Sequence, residues 1–372
     1  MKILNVNHTI DPITGGGTAE RTLQMSRQLI ADGISCSILT MDLGSTPRQL
    51  DGGEIIVLPS IYRRFYIPKY LFYGIRSAVK DADIIHIMGH WTVLNALVYL
   101  MARIQKKPYV FCPAGALPVF GRSRLLKRFY NAVIGKRIVR KAKKCIAITE
   151  AEKTDFRGYG VDDKSIVVIP NAVSEPELPL SYEVDFRKQF GLKDRPFILF
   201  LGRLNLIKGP DLLLHAFCQL EEMFPDIDLV FAGPDDGMLT ELERTVSMAQ
   251  IEDRVHFVGY VNGEEKYQAY RSAMILAIPS RQEAMSLVVL EAGIVGTPSV
   301  FTDQCGLEEL AKANSGWMVS PSVEGLNQGL KDILSNPAQI PVIGNNVKKV
   351  VVTQFSWQAI IRKYRKMYVE LM

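Results

Sequence analysis

The chain has 372 residues, 48% of them hydrophobic and 22% charged, and a formal net charge of +5. That composition belongs to a globular protein with room for two domains, and it excludes a disordered or fibrous chain. No apolar run reaches the roughly 18 residues that cross a bilayer, and the five cysteines at 36, 112, 145, 218 and 305 form no Cys-x-x-Cys pattern, so the expectation is a reducing, cytoplasmic setting without a disulfide framework or structural zinc.

Residues 3–7 read as a strand, and their apolar run is too short for a signal peptide. A glycine-rich loop at 12–18 and a helix at 19–32 follow. Further strands fit 36–40, 55–58, 84–88, 109–112, 145–149 and 166–169. Residues 171–180, with prolines and glutamates, read as an interdomain linker. The second half repeats the scheme. Strands fit 197–201, 228–232, 255–258, 274–278, 299–302 and 317–319, and helices fit 211–223, 239–249, 264–271, 286–295, 323–334 and 357–371. Alternating strands and helices predict an α/β chain of parallel sheets covered on both faces. The expected domains are 1–175 and 181–356, with the helix at 357–372 packing back on the first. Two doubly wound domains facing each other place a cleft at the carboxyl ends of their strands.

Charge is unevenly spread. Residues 1–180 hold 25 Lys and Arg against 15 Asp and Glu, and residues 181–372 hold 19 against 24. The densest basic run, 122–144, has ten Lys and Arg and no acid. Within it Leu125, Leu126, Phe129, Tyr130 and Val133 share one helical face, opposite Arg124, Lys127 and Arg128. Residues 62–73 mix basic and aromatic side chains. Together they predict a face that rests on an anionic membrane, each basic residue contributing about 1 kcal/mol. The alternative is a solvated helix whose apolar face is core. No recognition motif for nucleic acid accompanies the patch.

Three motifs carry chemistry. Phe200-Leu-Gly-Arg-Leu-Asn-Leu-Ile-Lys-Gly-Pro-Asp211 puts Arg203 and Lys208 on a loop after a strand. A planar guanidinium and a mobile ammonium there suit a diphosphate. Ser280 to Ser299 places Glu283 in a loop and Glu291 on the helix that follows. That helix start offers free N–H groups to an anion around Ser286, Leu287 and Val288. Gly15, Gly16 and Gly17 let backbone approach a ligand between the first strand and helix, although the full Gly-x-Gly-x-x-Gly spacing is missing. Asp81-Ala-Asp83 precedes its strand, at the amino end, so no metal site is expected from it. His86 and His90 read as satisfied, partly buried histidines or as cleft residues. His8 stands near the glycine loop, and His215 and His256 read as structural.

Glu283, seven residues, Glu291, then Ala292, Gly296 and Pro298 resemble the pattern of the retaining nucleotide-sugar glycosyltransferases of family 4. The Gly-Arg and Lys-Gly pairs at Arg203 and Lys208 are similar to theirs, as are the glycines at 15–17 and the strand ends at Gly233 and Gly259. The resemblance covers nearly the whole chain and is strongest over 197–310. It implies the GT-B fold, two facing Rossmann-like domains, the first for the acceptor and the second for the donor. It implies transfer of a sugar from a nucleotide-diphosphate sugar to an acceptor hydroxyl with retention, without metal. Arg203 and Lys208 would hold the diphosphate, Glu291 the ribose, Glu283 the donor sugar, and Gly233 and Gly259 the nucleobase. The acceptor would be lipid-linked or an oligosaccharide in cell-surface polysaccharide, lipopolysaccharide or glycolipid synthesis, on the inner face of the cytoplasmic membrane. Ala114 stands where many members have a histidine, so no catalytic role is carried to it. A nucleotide-sugar 2-epimerase of the same fold and a silent nucleotide-sugar-binding module are the rival readings.

Overall fold

A computed structural model of the protein describes residues 1–42, 49–62, 67–69, 72–119, 123–176 and 185–372. The chain divides into two compact units, Met1–Asn171 with Trp357–Met372, and Ala172–Ser356. The first holds β1 (Lys2–Val6), α1 (Pro12–Ala31), β2 (Ser35–Met41), β3 (Glu54–Leu58), β4 (Ser60–Tyr62), β5 (Ile67–Pro68), α2 (Tyr73–Asp81), β6 (Ile84–Met88), α3 (Val93–Ile104), β7 (Tyr109–Cys112), α4 (Arg124–Tyr130), α5 (Lys136–Arg140), β8 (Lys144–Ala147), α6 (Glu152–Gly158) and β9 (Ile166–Val168). Seven of these strands form one parallel sheet in the order β3-β2-β1-β6-β7-β8-β9, while β4 and β5 pair antiparallel. The strands are short apolar runs because both faces are covered; all five residues of β6 are buried.

The second unit contains α7 (Phe186–Gln189), β10 (Phe197–Leu201), α8 (Pro210–Cys218), β11 (Asp228–Ala232), α9 (Leu239–Ala249), β12 (Val255–Gly259), α10 (Gly263–Ser272), β13 (Ile275–Ile278), α11 (Leu287–Ile294), β14 (Ser299–Thr302), α12 (Glu308–Lys312), β15 (Trp317–Val319), α13 (Val323–Ser335) and α14 (Gln339–Val350). Its parallel sheet runs β12-β11-β10-β13-β14-β15. In both sheets the chain winds outward from a central strand, then returns and winds the other way. The reversals lie between β1 and β6 and between β10 and β13. Ligands of such sheets bind outside the carboxyl ends of the strands at these switch points.

The last helix, α15 (Trp357–Val369), belongs to the first unit. The Tyr364 hydroxyl accepts from Arg21 Nη2 at 2.6 Å, and the Tyr368 hydroxyl lies 2.7 Å from His86 Nδ1. Arg21 is buried on α1, and its other terminal nitrogen lies 3.0 Å from Cys112 Sγ.

Some elements depart from the sequence expectation. The glycine-rich segment is helical from Pro12, with a break at Gly16, whose φ of 52° and ψ of −141° are not helical. α8 ends at Cys218 rather than at 223. α14 was not expected, because Pro341 and Gly344 interrupt its pattern. Pro341 falls in its first turn, where no N–H is needed. A β-carbon on Gly344 would stand 2.4 Å from the Gly296 carbonyl oxygen, so close packing selects glycine there. Of the proposed linker, 177–180 lies outside the described residues, as do Arg122 of the basic run and 63–66, 70 and 71 of the aromatic stretch.

Candidate active site

In the second unit, the residues expected to bind the donor diphosphate and sugar, Arg203, Lys208 and Glu283, lie on the loops that follow β10 and β13. After β10, Leu204 turns inward and is buried, which leaves Arg203 and Asn205 on the outside. The Leu204 N–H donates to the Pro234 carbonyl at 3.0 Å, and the Asp236 N–H returns to the Leu204 carbonyl at 3.1 Å. This pairing brings Asp236 to 3.2 Å from Arg203 Nη1 and 2.7 Å from Asn205 Nδ2. The two loops approach so closely that a β-carbon on Gly233 would stand 1.9 Å from the Gly202 carbonyl oxygen. Gly233 also has φ +147°, a conformation that glycine alone adopts readily. Its N–H donates to the Gly259 carbonyl at 2.7 Å, so the two glycines expected near a nucleobase are neighbours.

Lys208 and Glu283 meet directly. Lys208 Nζ lies 2.8 Å from Glu283 Oε1, with the two side chains 24% and 10% exposed. Ser280 Oγ donates to the same carboxylate oxygen at 2.6 Å. A carboxylate so far from water needs such partners. The loops that carry the pair are clamped together: Arg281 grips Asp211 through two bonds of 2.8 and 2.6 Å, and it donates to the Leu206 carbonyl at 2.7 Å. Beneath them Cys305 is buried, which pushes its thiol up to about 12 and keeps it protonated.

Glu291 lies one turn into α11 and is also held. Lys266 Nζ and the Tyr270 hydroxyl donate to its two oxygens, each at 2.8 Å. Burial first, and then the Glu291 carboxylate, push the Tyr270 phenol well above its ordinary value, so it remains a donor. At the start of α11, the N–H groups of Leu287 and Val288 have no acceptor within the helix, and both residues are partly exposed. Ser286 departs from the expectation that its N–H faces a phosphate: it donates to the Cys305 carbonyl at 3.0 Å. The reason is that Ser286 is still extended and fully buried, and the helix opens only at Leu287.

In the first unit, Gly15, Gly16 and Gly17 lie beyond the carboxyl end of β1. Gly15 packs tightly, since a β-carbon there would stand 2.6 Å from Ala19 Cβ, whereas one on Gly16 would meet nothing within 4 Å. His86 and His90 are fully buried rather than partly so. Burial pushes His86 down to about 3 and His90 to about 4, and His90 Nε2 lies 3.0 Å from Asn131 Oδ1. Ala114 holds φ +49° at the carboxyl side of β7. Beside it, buried Glu152 accepts from the Gly115 and Ile148 N–H groups at 2.6 and 2.7 Å, so this carboxylate fixes two strand-end loops. Asp83 accepts from the Lys2 N–H at 2.8 Å, at the amino end of the sheet. Among the described residues, no three His, Cys, Asp or Glu side chains converge as a metal site would require.

Residues 183–350 match the family described as glycosyl transferases group 1, and residues 16–172 match a glycosyl transferase 4-like domain. The chain belongs to the group 1 glycosyl transferases. An uncharacterised glycosyltransferase of Methanocaldococcus jannaschii is 32% identical over 56% of this chain, which spans about half (55%) of that relative's length. A D-inositol 3-phosphate glycosyltransferase of Actinosynnema mirum is 29% identical over 70% of each chain. The Anabaena HepE protein, solved in complex with UDP and glucose, superposes over 100% of both chains with a TM-score of 0.79 at 18% identity. The fold of this group 1 enzyme family is GT-B, two Rossmann-like units, as the paired parallel sheets show.

Five side chains of the site had no signature of their own in the sequence: Ser280, Lys266, Tyr270, Asp236 and Asn205. Lys266, Tyr270 and Asp236 reach the motif residues from other elements, while Asn205 and Ser280 lie on the motif loops themselves.

Proposed function

We propose that the chain transfers a sugar from a nucleotide-diphosphate sugar to an acceptor hydroxyl with retention at the anomeric carbon, without a metal ion. The observation that carries this reading is the Lys208–Glu283 pair, 2.8 Å apart at the switch point of the second sheet. The leaving diphosphate carries the charge that must be stabilised. Lys208, Arg203 and the Leu287 and Val288 N–H groups supply fixed positive potential for it. One such contact contributes about 3–4 kcal/mol in a preorganised site. An arriving phosphate competes with Glu283 for the Lys208 ammonium and turns the carboxylate toward the sugar, where positive charge develops on the ring. Glu291 has one donor on each oxygen, and the remaining lone pairs can accept the two ribose hydroxyls. Same-face attack by the acceptor, guided by the departing diphosphate, gives retention.

UDP-sugars are the first donors to test, because HepE is solved with UDP and glucose. The acceptor belongs to cell-surface polysaccharide, lipopolysaccharide or glycolipid synthesis at the cytoplasmic membrane. The relation to D-inositol 3-phosphate glycosyltransferases adds phosphorylated polyols to the screen. The test is turnover of a UDP-sugar panel with lipid extract or inositol phosphate as acceptor, with and without chelator. Proton NMR of the product reads the anomeric configuration. An inverted product sinks the retaining mechanism, and activity lost to chelator and restored by manganese sinks metal independence. Release of a free 2-epimer of the sugar would make the chain an epimerase instead.

A further inference from the structure

The first unit carries an apolar side-chain row that the sugar-transfer chemistry does not use. α4, a single π-helical turn at Asn131–Gly135 and α5 make one unbroken helical stretch, Arg124 to Arg140. On it Leu125, Leu126, Phe129 and Val133 are 80%, 48%, 66% and 50% exposed. None of the α4 residues is buried, and of the five expected on the apolar face only Tyr130 packs against the core, so that face is not turned into the core as a whole. Four large apolar side chains within nine residues form an exposed patch, not scattered exposure.

Tyr130, expected in the same row, instead anchors the stretch together with Asn131. The Tyr130 hydroxyl donates to the His90 and Thr92 carbonyls at 3.0 and 3.1 Å, and Asn131 Oδ1 lies 3.0 Å from His90 Nε2. The lack of a side chain at Gly135 permits this fit, since a β-carbon there would stand 2.4 Å from Asn131 Oδ1. The stretch is therefore fastened just past the carboxyl end of β6, beside that sheet's switch point, with its apolar row facing water.

We propose that this row is an interfacial membrane dock that lies on an anionic bilayer. Charge selects the occupant. Residues 124–140 hold six Lys and Arg and no acid. The whole first unit holds 29 Lys and Arg against 14 Asp and Glu, net +15, while the second holds 15 against 25, net −10. A second copy of the same face would set these cations against each other, and a neutral apolar partner would leave them unmatched. An anionic leaflet answers both features, because it attracts the basic residues and receives the apolar side chains at its headgroup boundary. Among the described residues no helix is long and apolar enough to cross a membrane, so the contact is at the surface. The inference deepens the reading of a membrane-borne acceptor and rests on that reading for its purpose. The dock sets the acceptor's headgroup beside the carboxyl end of β6.

The experiment uses the full chain and vesicles of phosphatidylcholine with or without phosphatidylglycerol, at low and at physiological salt. The parent chain is expected to co-sediment with the anionic vesicles only. Leu125→Ser with Phe129→Ser should weaken this by about tenfold or more at both salts. Changing Lys127, Arg128, Lys136 and Arg137 together to Gln should weaken it by up to about a thousandfold at low salt, at about 1 kcal/mol for each residue. Both variants should keep the parent's melting temperature and UDP binding, so a failure of the nucleotide reading shows separately in the UDP titration. No vesicle binding by the parent at either salt overturns the dock, and so does binding that survives loss of Leu125 and Phe129. A parent dimer that becomes monomeric in the Leu125/Phe129 variant would assign the row to a second copy and overturn it equally.

Discussion

Glu283 and Glu291 differ in what holds them, and this separates their expected phenotypes. Glu283 is tied to Lys208 and Ser280 beside the expected reacting centre. Replacing it by Gln keeps the shape and removes the charge, so turnover should fall on the order of a hundredfold while donor affinity changes little. Glu291→Ala should weaken UDP binding by about tenfold, the worth of one charge-assisted hydrogen bond, with a smaller effect on saturated turnover. Calorimetry with UDP beside steady-state kinetics reads both, and equal activity of either variant and the parent would remove that glutamate from the mechanism. Lys266→Met tests positioning: its ammonium orients Glu291 at 2.8 Å. The preference for UDP over its 2′,3′-dideoxy analogue should shrink, which a loss of stability alone would not cause. The two glutamates and two cations were legible because each lies on a strand-end loop or helix start with local punctuation. Lys266 and Tyr270 were not, because they sit on α10, which reads as an ordinary amphipathic helix. Only packing against α11 brings them to a carboxylate 25 and 21 positions away.

Strands were the most legible elements, for a physical reason. A strand covered on both faces must be a short apolar run, and β6, β7, β10 and β11 have the bounds that such runs suggest. Several helices of the second unit were legible from their apolar periodicity, whereas α2, α3, α6, α12 and α14 were not read, α14 being hidden by a first-turn proline and a packing glycine. What sequence could not reveal was the polar mortar between elements. α15 and β6 are joined by the Tyr368–His86 bond at 2.7 Å, in the core of the first unit. Tyr368→Phe leaves the imidazole nitrogen without its partner and should cost roughly 1–3 kcal/mol, read by urea unfolding; an unchanged midpoint would show the bond to be dispensable. The same burial has a pH signature. His86 is pushed down to about 3 and His90 to about 4, so both are neutral in the folded chain near pH 5. An unfolded histidine titrates near 6.5. Below that the unfolded state binds protons that the folded state does not, so their contribution to stability falls as pH drops from about 6.5 toward 4. The slope is up to about 1.4 kcal/mol per pH unit for each histidine. Urea midpoints at pH 7, 6 and 5 should therefore decline less steeply for His90→Gln than for the parent, and parallel curves would contradict this account.

At the scale of the whole molecule, the chain is two cores with unequal continuity. The second unit is an uninterrupted segment, Ala172–Ser356, with its own core around Ile198, Phe200, Leu213, Leu229, Phe231 and Ile275. Arg203, Lys208, Glu283 and Glu291 all belong to it. The first unit is assembled from Met1–Asn171 and the distant Trp357–Met372. Trp357, Ile360, Ile361, Tyr364, Met367 and Tyr368 of α15 are buried. At roughly 1.5–3 kcal/mol for each such side chain, their loss rivals the roughly 5–15 kcal/mol by which a domain is stable. It also strips the Tyr364 partner from buried Arg21. The segment 172–356 expressed alone should therefore melt cooperatively and still bind UDP. The segment 1–171 alone should be unfolded or molten. Joining it to 357–372 through a short Gly-Ser linker should restore a sharp transition, without conferring UDP binding of comparable strength. Circular dichroism melts and UDP titration of the three proteins decide the matter. A folded 1–171 as stable as the joined form would make α15 an ornament of the first unit, and failure of 172–356 to bind UDP would mean that the donor site is not complete within the second.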